Sequence, residues 1–155
     1  MGRIFATALL FTAFTAQADL VLLDGHVRAM PPGQPNTAAF LQVKNTGSQA
    51  ITLINAQTQA AKKSEFHTHT MNEKGVMSMT QVPNIVIEPQ QIFVFESGAH
   101  HVMLMGLTKP LKPGGRVELS LQDTQGASYT YDLPVVSILD KAPMKHDHHH
   151  HHGQE

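Results

Sequence analysis

Four side chains stand out by type and spacing: His67, Met79, His101 and Met103. His101 and Met103 are one residue apart. On an extended strand, where successive side chains alternate between faces, both point the same way while Val102 and Leu104 point the other. The same period puts His67 with His69 on one face of a strand, and Met77 with Met79 on one face of the next, the two strands running antiparallel across Met71 to Gly75. His67 and Met79 then form a second donor pair. If the His101 strand lies near this hairpin, two imidazoles and two thioethers meet at one end of the domain. Thioether sulfur is a soft, neutral donor that suits Cu(I) and serves Mg, Ca or Mn poorly, whereas imidazole serves both copper and zinc; the mixed set points to copper. Against this stands the readiness of methionine to fill core gaps, and Met71 and Met105 are read that way. His26 and His100 are read as surface or hydrogen-bonded residues, and His69 as a reserve ligand.

The chain that must position these donors has 155 residues, enough for one domain. It contains eleven His, eight Met and no Cys. The lack of cysteine removes disulfide frameworks, lipoprotein anchoring, thiolate metal sites and cysteine catalysis, so a soft-metal site must rely on methionine sulfur. A formal charge of -1 and the lack of a basic stripe make nucleic acid and anionic membrane surfaces poor partners. Met1-Gly2-Arg3, the apolar run Ile4 to Phe14 and Thr15-Ala16-Gln17-Ala18 have the pattern of a cleavable secretory signal over residues 1–18, with the mature chain starting at Asp19. The apolar run falls short of the roughly 20 residues a spanning helix needs, so no membrane anchor is expected after processing.

Helical periodicity is scarce, and short alternating runs between Gly, Pro and Asn punctuation predict an all-β sandwich over residues 19–140. The strands expected are Leu20 to Ala29, Thr37 to Lys44, Ala50 to Ala56, Ser64 to His69, Val76 to Gln81, Ile92 to Glu96, His101 to Leu107, Arg116 to Gln122 and Tyr129 to Val136. Arg116 to Gln122 alternates cleanly, with Val117, Leu119 and Leu121 facing inward. From Lys141 to Glu155 the chain turns polar and supports no packing, which predicts a flexible tail.

The donor spacing resembles the signature of the periplasmic PCuAC copper chaperones: a His, about a dozen residues to a Met, twenty-one intervening residues, then His-x-Met. Here His67 is followed by Met79, twenty-one residues intervene, and His101-Val102-Met103 completes it. Flanking segments are similar as well, including Ala38-Ala39-Phe40-Leu41 before Asn45-Thr46-Gly47, Glu65-Phe66-His67, and Gly75-Val76-Met77-Ser78-Met79; the likeness covers roughly Leu20 to Val136. The resemblance implies a cupredoxin-like antiparallel β-sandwich, a single monomeric domain binding one Cu(I) through His67, Met79, His101 and Met103. It also implies a periplasmic carrier delivering copper to the CuA domain of cytochrome c oxidase, directly or with a Sco-type protein. Two departures are visible: Ser97-Gly98-Ala99-His100 replaces the family's usual Pro-Gly-Gly-Tyr run, leaving a neighbouring imidazole to compete with His101, and Thr68 stands where many members have Met.

The tail presents His146, His148, His149, His150, His151 and His152. Free imidazoles of this kind prefer Cu(II) or Zn, so a second, weaker site is expected there. A copper or zinc buffer without a dedicated acceptor is the alternative function. An enzyme is not expected: catalytic zinc keeps an open position, no His-Glu-x-x-His pattern occurs, and four filled positions leave nowhere for substrate.

Overall fold

A computed structural model describes residues 20–137; the expected leader and the expected histidine tail lie outside the described residues. The described residues form ten strands and no helix: β1 (Leu20–Ala29), β2 (Asn36–Asn45), β3 (Ile51–Gln57), β4 (Ala61–Met71), β5 (Met77–Gln81), β6 (Ile85–Ile87), β7 (Ile92–Phe95), β8 (His101–Leu107), β9 (Arg116–Asp123) and β10 (Ser128–Ser137). Nine of these match the expected runs to within a few residues. β6 is additional. Its three residues fall between Pro83 and Pro89, too short a stretch to display a period, yet Ile85 and Ile87 are buried. β4 also starts earlier than expected, at Ala61, where Lys62 and Lys63 mask the alternation.

One layer runs β5-β4-β8-β2-β1, with β7 pairing the other half of β2, and the second runs β10-β9-β3-β6. β10 joins the layers. Residues 128–134 pair antiparallel with β9, whereas residues 135–137 pair in parallel with residues 27–29 of β1. That parallel contact departs from the purely antiparallel expectation; every other pairing among the described residues is antiparallel.

The core lies between the layers. Val117, Leu119 and Leu121 of β9 and Leu133 and Val135 of β10 meet Val27, Leu41, Val43, Phe66, Phe95, Val102 and Leu104 from the first layer. Each such side chain contributes about 1.5–3 kcal/mol through loss of contact with water. Two bulges adjust which residues point inward. Between Leu22 and Asp24 the β1 register slips by one, so Leu20 and Leu22 face the core before the bulge and Val27 and Ala29 after it. His26 and Arg28 are thereby turned to the outer face. A matching slip between Leu53 and Asn55 leaves Ile54 exposed and brings Ala56 inward.

Asn45 ends β2 fully buried. Its Nδ2 donates to the carbonyls of Gln49 at 2.7 Å and Ile87 at 3.0 Å, and its Oδ1 accepts from the Gly47 amide at 2.9 Å. This one side chain fixes the turn after β2 and ties it to β6. Asn45→Ala is expected to destabilise the fold by about 1–3 kcal/mol, because buried backbone groups lose their partners. A urea unfolding midpoint equal to that of the parent would contradict this account.

Candidate metal centre

The outer face of the β5-β4-β8-β2-β1 layer carries the chemistry. His67 of β4 lies directly opposite His101 of β8, and Glu65 opposite Met103; on the other side of β8, Met103 lies opposite Ala38 of β2. Across the hairpin, His69 is opposite Met79, and His67 is opposite Gln81. The expected His67 and Met79 pair is thus corrected by one rung: the two share a face but sit diagonally, and the residue facing Met79 is His69. The physical reason is that β4 continues through Met71, so the tight turn closes further out than a connection starting at Met71 would place it.

A cavity of about 180 Å³ opens on this face, lined by His69, Met79, His101 and Met103 together with Phe40 and Arg28. Three of the four sequence-derived donors therefore share its wall. His67 does not line it, and His69, the reserve, takes that place. The His67 ring nonetheless lies 6.1 Å from the His101 ring, and His69 lies 5.3 Å from it, centroid to centroid. An ion bound at about 2 Å by a ring nitrogen sits roughly 3 Å from that ring's centre, so either imidazole is close enough to share an ion with His101.

His101 is the fixed point. It is 3% exposed, and its Nδ1 donates to the Ala99 carbonyl at 3.0 Å, which assigns the proton to Nδ1 and leaves the Nε2 lone pair free. Burial pushes its pKa below 6.5; the Ala99 bond opposes this, and His69, His67 and His100 add to it. Buried Phe40 packs beneath, with the Arg28 guanidinium 4.8 Å from the centre of its ring.

At His67 the other ring nitrogen carries the hydrogen bond. Its Nε2 donates to Glu65 Oε2 at 2.8 Å, and its Nδ1 is buried without a hydrogen-bond partner. A buried, unpaired ring nitrogen next to a second imidazole is what a metal ligand looks like before it is satisfied. Glu65 is held in turn by Lys63, and the bonds from His67 and then Lys63 keep its carboxyl below the usual range. Among the described residues no three His, Cys, Asp or Glu side chains are grouped to hold an ion; the further soft donors on the cavity wall are the thioethers of Met79 and Met103.

Other residues fall into place around this centre. His100, the possible competitor, packs edge-on against Phe93 at 5.4 Å. The His26 ring lies tilted against Phe40, 5.3 Å between ring centres, and burial lowers its pKa. Met105 lies opposite Lys63 and Asn36, partly buried. Met71 is not core filler as expected: it is 66% exposed near the hairpin tip. The tail histidines lie outside the described residues.

These features define a small β-sandwich domain whose outer sheet face gathers imidazoles and thioethers around one buried histidine. The chain belongs to the LpqE-like family, described as putative lipoprotein LpqE-like, whose model matches residues 20–135. It is 32% identical over 104 residues to the putative lipoprotein Lxx21020 of Leifsonia xyli subsp. xyli (strain CTCB07), a match covering 66% of this chain and 62% of that protein. The chain thus spans under two thirds of that relative's length. Among solved structures it is similar to the Cu(I) form of DR1885 from Deinococcus radiodurans, with 33% identity, 80% of this chain and 83% of that chain covered, and a TM-score of 0.63. The apo PCuAC domain of PmoF1 shares the fold at 18% identity, with 76% and 93% coverage and a TM-score of 0.65. The all-β, cupredoxin-like architecture expected from the motif is therefore the architecture found, and the likeness to a PCuAC domain is one of fold.

The lowered pKa values of His101 and His26 carry a sign. In the unfolded chain both take up a proton near pH 6.5, but in the folded chain only at lower pH. Below about 6.5 the unfolded state therefore binds more protons, and stability falls as the medium is acidified. Thermal unfolding of the metal-free protein should show a falling midpoint from about pH 7.5 to about pH 5.5, and His101→Gln should flatten the fall. An equally steep fall in the variant would remove His101 as a cause.

Proposed function

We propose that this chain is an exported copper carrier of the cell envelope that holds one Cu(I) through His67, Met79, His101 and Met103. The observation that carries this reading is the pair of facing imidazoles, His67 with its unpaired Nδ1 and His101 with its Nε2 left free, the second of which shares a cavity with the Met79 and Met103 thioethers. The Cu(I) form of DR1885, one third identical to this chain, adds support.

The donors suit the cargo. All four are neutral, so a monovalent ion brings its single charge into the site without competing anions, and soft sulfur favours the reduced state. Glu65 holds the ring of His67 so that Nδ1, and not Nε2, meets the ion; the Ala99 carbonyl does the reverse for His101. Because thioethers bind less strongly than thiolates, the ion leaves more readily, as a carrier requires. The acceptor proposed is the CuA domain of cytochrome c oxidase, reached directly or with a Sco-type protein, and the carrier acts in the periplasm as a monomer without turnover of its own. His146 and His148–His152 are proposed as a second, weaker site for Cu(II) or Zn.

Anaerobic Cu(I) titration against a competing chelator tests the centre. His101→Ala is expected to lower Cu(I) affinity by more than about 100-fold, beyond the 10–100-fold that losing an outer-shell partner costs. His67→Ala, Met79→Ala and Met103→Ala should each lower it too, and parent-like affinity in all four would end the reading. Transfer to a metal-free CuA domain faster than exchange through free chelator separates a carrier from a buffer. Glu65→Gln keeps the side chain's shape but replaces a carboxylate acceptor with a neutral amide. It should weaken Cu(I) binding about tenfold or more while leaving the fold intact, and unchanged affinity would deny Glu65 its positioning role.

A further inference from the structure

The hairpin formed by β4 and β5 carries more soft donors than the proposed centre uses. Three successive cross-strand pairs lie on the donor face: His67 with Gln81, His69 with Met79, and Met71 with Met77. The opposite face of the same hairpin is given to hydroxyls, with Thr70 Oγ1 3.0 Å from Ser78 Oγ and 3.3 Å from Thr80 Oγ1. Exposure rises outward along the donor face. His67 is partly buried, whereas Met79 is 47%, Met77 52% and Met71 66% exposed.

Core packing does not account for Met71 or Met77, since both are largely in water. Nor is their placement loose. In the turn beyond them, the Asn72 Oδ1 accepts from the amides of Lys74 and Val76 at 3.0 and 2.9 Å, while the Gly75 amide donates to the Asn72 carbonyl at 2.9 Å. Gly75 adopts a φ of 75°, which closes the turn without strain. The turn thus holds two thioether side chains directly opposite one another, with Cβ atoms about 4.5–5.5 Å apart, close enough for both sulfurs to reach one ion. The next rung inward, His69 and Met79, is two residues along, roughly 7 Å.

We propose that Met71 and Met77 form an outer, two-donor site for soft monovalent ions, through which Cu(I) enters and leaves the cavity by way of His69 and Met79. This rests on the copper reading above. The step is ligand exchange alone: bonds from the ion to the Met71 and Met77 sulfurs break as bonds to the Met79 sulfur and a His69 nitrogen form. The ion stays monovalent and no electron moves. Two donors hold the ion less firmly than four, so the outer site fills only in passing or when the inner site is full.

The test is the full chain with Met71→Leu and Met77→Leu together. Leucine keeps the apolar surface and removes only sulfur, so a surface that merely docks a partner through apolar contact would be unaffected. In anaerobic stopped-flow experiments with the acetonitrile complex of Cu(I) for loading and bathocuproine disulfonate for removal, both rates are expected to fall about tenfold in the double variant. Equilibrium Cu(I) affinity should stay at the parent value. In the parent chain labelled at the methionine methyls, Ag(I) beyond the first equivalent should shift the Met71 and Met77 resonances. Parent-like rates in the double variant, or Met71 and Met77 resonances that do not respond to Ag(I), overturn the outer site and leave the inner one standing. Absence of Cu(I) binding by the parent chain would overturn both.

Discussion

The register of β4 against β8 is the constraint on which the donor face depends. With His67 opposite His101 and Glu65 opposite Met103, the odd-numbered residues from Lys63 to Met71 of β4 and from His101 to Met105 of β8 gather on the outer side. What fixes that register lies on the other side of the sheet. Phe66 faces Val102 and Ser64 faces Leu104, and Phe66, Val102 and Leu104 are buried, with Phe66 stacked 6.0 Å from Phe95. A slip of β4 by one residue would expel Phe66 from the core and turn His67 and His69 inward. The hydrophobic effect on one face therefore positions the imidazoles and thioethers on the other.

Positioning alone would not make these rings ligands; their protons must also be placed. A neutral imidazole carries one proton, and the nitrogen that keeps it cannot bind metal. His101 donates a hydrogen bond from Nδ1 to a backbone carbonyl and His67 donates one from Nε2 to a carboxylate, so different nitrogens are left without a partner on two rings that face one another. Burial adds to this by disfavouring the charged form of His101. The local sequence supplies both devices. Ala99 and Glu65 each precede the histidine they hold by two residues, one through the backbone at the start of a strand and one through a side chain on the same face of β4.

The distinction between parity and register also explains what was legible in the sequence. Which face a side chain takes is local, and the alternation of β9 and the His-Val-Met run of β8 could be read directly. Which residue stands across from it is not local. The diagonal relation of His67 to Met79 follows from where the hairpin turns, and Met71 belongs to strand rather than turn because Asn72 caps the connection with its own side chain. The bulge at Leu23 is equally hidden: it brings Arg28 to the cavity wall and His26 beside Phe40, though nothing in the alternation of Leu20 to Ala29 marks the slip. β6 escapes detection because three residues carry no period. The motif spacing, by contrast, predicts the fold through resemblance, since a chain-wide likeness carries the non-local information that periodicity lacks.

The donors are also divided between unequal parts of the sheet. His101 and Met103 stand on β8, hydrogen-bonded on both sides by β4 and β2, whereas Met79 stands on β5, an edge strand of five exposed residues paired only with β4. Opening β5 breaks one ladder and exposes no core residue, so it requires far less free energy than any movement of β8. Edge strands are otherwise a hazard, and this one is kept short, with Ser78, Thr80 and Gln81 along it. A donor set with two members on the central β8, one on β4 and one on the edge strand β5 would hold an ion in a fixed frame and still let go of one ligand at a time. Release of an ion from the proposed centre would then need no unfolding of the sandwich, only displacement of the hairpin that carries the exposed Met71, Met77 and Met79.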